Sequence, residues 1–179
     1  MIIIHDYDVT VGLDGVEECI SCERGSRCPV CDEILLCRDR RIRKYRDVDG
    51  NKHTLRIRRM KCSTCKRLHN ELPDFLVPYK QHISFTIEKA VGEILMEKEI
   101  LSEYIPDMKT MKRWKVWIEK NIRKINSNKE KISKTNQHIQ KYSITIPFTI
   151  KDLVAKGKGW LSAILDLMLV NICTCLSLP

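Results

Sequence analysis

The sequence predicts an α+β chain, a small β ribbon followed by a helical region, and three observations carry that reading. Two Cys-x-x-Cys pairs, Cys28/Cys31 and Cys62/Cys65, bracket one short segment. Roughly midway between them Asp49-Gly50 is a two-residue turn signal flanked by Tyr45, Val48, Leu55 and Ile57, so the chain between the pairs can run out and back as a hairpin. Beyond residue 81 the apolar residues recur at three- and four-residue steps, the period of an amphipathic helix. Each Cys pair puts two thiolates on a tight turn. Two such turns brought together supply the four tetrahedral sulfur ligands of a structural Zn²⁺, so Zn²⁺ is the expected cofactor and Cys28, Cys31, Cys62 and Cys65 its expected ligands.

Length and charge narrow the function classes. A chain of 179 residues forms one or two small domains rather than a large enzyme. Nine cysteines would suit a secreted disulfide scaffold, but Met1-Ile2-Ile3-Ile4 runs straight into His5, Asp6 and Asp8, with neither a basic leader nor a long apolar run. The expected location is therefore cytoplasmic, where paired cysteines serve as metal ligands. The net charge of +9 is unevenly spread: Arg38 to Arg67 holds thirteen Lys/Arg against three acids, net +10, and Pro106 to the end holds fourteen against five, net +9. Everything else sums to −10. An acidic body with two basic modules favours a polyanionic partner.

Taken in order, residues 1–27 form an acidic N-terminal extension with a strand at Ile2–Ile4, turn signals at Gly12, Asp14-Gly15 and Gly25, and a third pair, Cys19/Cys22. That pair with Cys28/Cys31 is a second four-sulfur set, but five intervening residues are too few for a hairpin, so the distant pairing is preferred. Residues 28–72 are the zinc ribbon: first knuckle, a strand through Ile34-Leu35-Leu36 towards Tyr45, the turn, a return strand over Thr54–Met60, second knuckle, and a short strand near Leu68–Leu72. Burial alone is too small to hold such a ribbon, and metal binding supplies on the order of 10–16 kcal/mol in comparable peptides.

Residues 73–125 form a helical region. Leu72-Pro73-Asp74-Phe75-Leu76-Val77-Pro78-Tyr79 is a proline-bounded connector packed between the halves. A first helix follows over His82 to about Met96, a second short one over Lys98–Tyr104, and a third, N-capped by Asp107, runs to about Ile125. The third carries Met108, Met111, Trp114, Ile118, Ile122 and Ile125 on one core-facing stripe and a basic face elsewhere. Three helices in this order, the last basic and capped, suit a helix-turn-helix whose final helix enters the major groove. In residues 126–179 a polar, lysine-rich linker precedes an apolar helix at Trp160–Cys175, shorter than the roughly 20 apolar residues of a membrane span, so no membrane partner is expected.

The knuckle Cys28-Pro29-Val30-Cys31, the run Arg59-Met60-Lys61-Cys62-Ser63-Thr64-Cys65-Lys66-Arg67-Leu68-His69, the connector to Lys80, and Thr110-Met111-Lys112-Arg113-Trp114-Lys115-Val116-Trp117 together resemble an uncharacterised bacterial family, domain of unknown function 6431. Members join a zinc ribbon to a helix-turn-helix-like region and are similar to the N-terminal regions of insertion-sequence transposases. The resemblance covers about residues 28–118, and departs at Asp32, where a glycine commonly eases the turn. It implies DNA binding in a mobile-element setting, with DNA and a transposase or other mobile-element protein as partners. In that role Arg56, Arg58, Arg59 and Lys61 would contact phosphates, and Lys109, Lys112 and Arg113 would approach the major groove. The acids form no carboxylate constellation for two-metal chemistry, so a non-catalytic protein is expected, a transposase accessory, remnant or regulator. A zinc-bearing protein-interaction module and part of an active transposase are the alternatives.

Overall fold

The computed structural model describes residues 1–21, 25–96, 104, 106–128 and 145–174, with the side chains of 169–174 excepted. Six strands and four helices lie within them: β1 Ile2–Ile4, β2 Tyr7–Val11, β3 Glu17–Ser21, β4 Leu35–Arg46, β5 Lys52–Cys62, β6 Leu68–Pro73, α1 Ser84–Met96, α2 Met108–Ser127, α3 Ile150–Ala155 and α4 Trp160–Thr174. The mixed α+β class is as expected. The expected short helix at Lys98–Tyr104 lies outside the described residues apart from Tyr104, and so does most of the lysine-rich linker.

Strand β5 organises one curled sheet. On one edge it pairs antiparallel with β4 from Leu35↔Cys62 to Arg46↔Lys52, slipping register between Cys37 and Asp39. Two strands share its other edge end to end: β6 antiparallel at Arg59↔Asn70 to Lys61↔Leu68, and β3 parallel at Glu17↔Leu55 and Glu18↔Arg56. β1 adds to β6 in parallel, and β2 closes on β3 as a hairpin. The acidic N-terminal extension thus contributes three strands, of which only Ile2–Ile4 was expected.

Side chains alternate across a strand, so the two sides of β5 meet different environments. Leu55 and Ile57 face the helices and lie in the main core with Ile3, Ile4, Leu76 and Val77. The opposite side is basic along most of the hairpin, and at its far end Met60 and Cys62 turn it apolar, where they join Cys28 and Leu35 in a second, smaller cluster under the knuckles. The β4–β5 turn is wider than the two residues expected. Asp47 and Asn51 close it, the Gly50 N–H donates to the Asp47 carbonyl at 3.3 Å, and Gly50 takes a left-handed φ of 84°.

Helices α1 and α2 pack by the expected stripes, against each other and against α3 and α4. Ile87, Ala90 and Val91 are buried on α1; Met111, Trp114, Ile118, Ile122 and Ile125 are buried on α2, but Met108 is half-exposed and belongs to the outer face. Asp107 caps α2 as expected, its Oδ1 accepting the Thr110 N–H at 2.9 Å. Helix α3, unexpected, starts in a capping box between Thr149 and Asp152. Helix α4 buries Leu161, Ala163, Ile164, Leu165 and Leu167, and its first turn is capped by the buried Glu88 carboxylate, which accepts from the N–H groups of Gly159 and Leu161 at 2.9 and 2.8 Å. No described helix is long and apolar enough to cross a membrane.

Candidate metal centre and basic faces

The two knuckles are built alike, and that repetition creates the centre. In the first, the Cys28 N–H donates to the Glu33 carbonyl at 2.7 Å; in the second, the Cys62 N–H donates to the Arg67 carbonyl at 3.0 Å. The residue after each second cysteine turns the chain back through the left-handed region, Asp32 at φ 58° and Lys66 at φ 61°. Neither is the glycine such turns favour, although aspartate is among the residues that tolerate the conformation best. The hairpin then carries one knuckle to the other, because Leu35↔Cys62 closes its open end.

As a result the ligand atoms of Cys28, Cys31, Cys62 and Cys65 all lie within 4.8 Å of one another, with Cys28 Sγ 3.6 Å from Cys65 Sγ and Cys31 Sγ 3.4 Å from Cys62 Sγ. The Cys65 N–H points at Cys62 Sγ at 3.4 Å and holds that thiol down at about 7. Cys31 is drawn down by the Glu33 backbone but pushed up to about 12 by the Cys62 sulfur against it. Four sulfurs this close cannot all ionise without a cation among them, and a bound divalent ion removes the conflict. The donor set therefore fits a thiolate-bound metal ion. Cys28 and Cys62 are buried and Cys31 is exposed, so the centre is closed towards the sheet and open on one side.

Cys19 does not approach this centre, because it is buried in the helix-facing core, and Cys37 is exposed on β4 at the register slip. Cys22 and Cys175 lie outside the described residues, as does the side chain of Cys173. Sequence reasoning missed His69. Its Nε2 lies 3.5 Å from Cys28 Sγ, and burial pushes its pKa down to about 4, leaving a neutral imidazole beside the sulfur. With Cys28 as a thiolate, Nε2 is the donor, the kind of outer contact that orients a metal ligand. The alternation of β6 was the available signal, since His69 pairs with Met60 and so points to the knuckle side.

The cations expected to contact phosphates are placed unequally. Lys61 is exposed. Arg58 Nε donates to the buried Glu71 at 2.6 Å, and Glu71 also accepts from Ser26 Oγ. Arg59 is held by both Asp39 oxygens, and Arg56 Nη2 lies 2.5 Å from Asp14 and Nη1 3.9 Å from Glu18. Three of the four therefore have carboxylate partners within the chain, those of Arg56 lying in the acidic extension. Lys109, Lys112 and Arg113 are exposed together on α2. With Met108, Val116, Trp117 and Lys120 they line an open groove of about 730 Å³, and Lys80 Nζ sits 4.9 Å over the Trp117 ring.

No curated protein and no solved structure matches the chain. Residues 28–114, from the first knuckle through α1 to Trp114 in α2, match the model of a family described as a domain of unknown function (DUF6431).

Proposed function

We propose that this is a non-catalytic, zinc-dependent DNA-binding protein of a bacterial mobile element, a transposase accessory, remnant or regulator acting in the cytoplasm. One observation carries the reading: the four-sulfur cluster anchors a hairpin with a strongly basic face, and α2 separately presents Lys109, Lys112 and Arg113 unburied. Zinc is the metal best suited to four clustered thiolates. It acts structurally here, joining the knuckles and setting the hairpin. Helices α1 and α2 stand as parts of a helix-turn-helix, with α2 entering the major groove from its capped N-terminal end, where base edges are read. The mobile-element setting is supported by the resemblance to transposase N-terminal regions.

A second reading, a protein-interaction module for an acidic partner, is favoured by a different observation. Met108 and Val116 are 50% and 59% exposed among the α2 cations, an apolar content that phosphate contacts do not use. One experiment separates the two. Metal analysis of the purified chain should give one zinc, lost in a Cys28→Ser/Cys62→Ser variant, and the zinc-loaded chain should bind duplex DNA. Arg113→Ala should then cost about 1–3 kcal/mol on a selected site and much less on random duplex. Equal loss on both would leave α2 gripping only the backbone, and no duplex binding by the zinc-loaded chain would favour the protein partner.

A further inference from the structure

The basic side of the β4–β5 hairpin carries its charge as a ladder. Register places Arg40 opposite Arg58, Ile42 opposite Arg56, Lys44 opposite Thr54 and Arg46 opposite Lys52, and alternation turns these residues to the side away from the helices. Like charges directly opposed destabilise a strand pair, so the arrangement calls for compensation. Towards the metal centre the protein supplies it. Arg58 is paired with Glu71, Arg56 with Asp14 and Glu18, and Arg40 with Glu18.

From residue 44 onward it does not. Among the described residues no carboxylate forms an ion pair with Lys44, Arg46 or Lys52. Of the acids on the turn, Asp47 is engaged by Asn51 and by His53 Nε2 at 2.9 Å, and Asp49 is exposed at the tip. Arg46 Nη1 is instead steadied on the Gly50 carbonyl at 2.8 Å. Lys44, Arg46 and Lys52, with Thr54 and Gln81, border an open depression of about 430 Å³.

We propose that this distal half of the hairpin, and not the arginine run 56–59, is where the ribbon grips the phosphate backbone of duplex DNA, Lys44, Arg46 and Lys52 supplying charge and Thr54 and Gln81 neutral hydrogen bonds. The inference rests on the DNA-binding reading above and assigns its phosphate contacts. A cation already bound to a carboxylate must break that pair to reach a phosphate, and the released acid is left beside the DNA backbone. Unpaired cations release counterions at no such cost. Gln81, on the rim of this depression, directly follows Lys80, whose ammonium lies over Trp117 of α2.

The test is the salt dependence of binding to a random-sequence duplex, read by fluorescence anisotropy on the zinc-loaded full chain. Each lost phosphate contact lowers the steepness of log affinity against log salt by about 0.9. A Lys44→Gln/Lys52→Gln variant should therefore flatten the slope by roughly two units, while Arg56→Gln leaves it unchanged. Because Lys52 opposes Arg46, its replacement relieves repulsion, and thermal melting should show both variants folded. An unchanged slope in the double variant, or an equal flattening by Arg56→Gln, would overturn the assignment. If the double variant keeps its slope while Arg113→Ala still discriminates between sites, only this assignment falls; a wild-type chain that binds no duplex removes the DNA reading with it.

Discussion

Arg58 and Arg56 are two residues apart on one strand and carry the same charge, yet burial gives them different roles. Glu71, the partner of Arg58, is 1% exposed and also holds Ser26 just before the first knuckle. Removing one member of a buried pair strands the other in a dry site, whereas exposed pairs contribute little. Arg58→Ala should therefore cost on the order of 3 kcal/mol in denaturant unfolding, and Arg56→Ala clearly less. Equal midpoints for the two variants would mean that Glu71 finds water or another donor. Such differences are invisible in the string Arg-Ile-Arg-Arg, because an arginine's partner comes from a strand that is distant in sequence. The four cysteines, by contrast, were legible at this scale, since a Cys-x-x-Cys turn fixes two ligands by local geometry alone.

Among elements, the hairpin was the most legible and the acidic hairpin ahead of it the least. β4 and β5 declare themselves by their turn and flanking apolar residues, but β2 and β3 carry Asp8, Glu17 and Glu18, with Asp6 just ahead of them, which read as a solvated lead-in. Their strand character depends on partners: Tyr45 Oη donates to Glu17 at 2.9 Å, and Arg40 and Arg56 reach Glu18. Helix α3 carried a readable signal in Thr149-x-x-Asp152, overlooked because the helix is only six residues long. The orientation of the main hairpin depends on Gly50 in a way that its turn signal does not convey. Besides its left-handed φ of 84°, a Cβ there would lie 2.3 Å from the Tyr104 ring, and Tyr104 in turn hydrogen-bonds and stacks on His82. Gly50→Ala should thus lower stability by at least about 1–2 kcal/mol from the backbone alone, with further loss as Tyr104 is displaced. A loss no larger than that backbone cost would show that the hairpin tip is not docked on Tyr104.

Across the whole molecule, the sheet and helices share one main core, which runs from Ile3 and Ile4 of β1 through Ile87 and Ile118 to Leu161 and Ile164 of α4. Division into an acidic extension, ribbon, helical region and tail is what the motifs and charge of the sequence lead one to expect. Those parts are joined by strand pairing, by the shared core and by single side chains whose meeting depends on the completed topology. His5 is the clearest. It follows β1, and its Nδ1 lies 3.2 Å from Asp74 at the end of β6 while its Nε2 lies 3.0 Å from Asp166 of α4; Tyr7 Oη donates to the other Asp74 oxygen at 2.9 Å. The Asp166 and Asp74 carboxylates raise the His5 pKa from 6.5 to about 9, burial opposing them. A folded-state value above the unfolded one means that the clamp contributes fully below pH 6.5 and loses its contribution as pH rises through about 9. Burial pushes the Asp74 carboxyl up, but the hydrogen bonds from His5 and Tyr7 outweigh it and hold Asp74 below its usual range, so the His5–Asp74 contact persists into moderately acidic solution. Thiols also titrate in the alkaline window, so the measurement is a difference: thermal melts of wild type and His5→Gln at about pH 6 and pH 9.5. For a chain of this size each kcal/mol is worth about 2–4 °C, and the wild type should lose a few degrees more than the variant on that rise. Parallel losses in the two proteins would mean that His5 is not held charged between β6 and α4, and that β1 is fastened to the last helix by apolar packing alone.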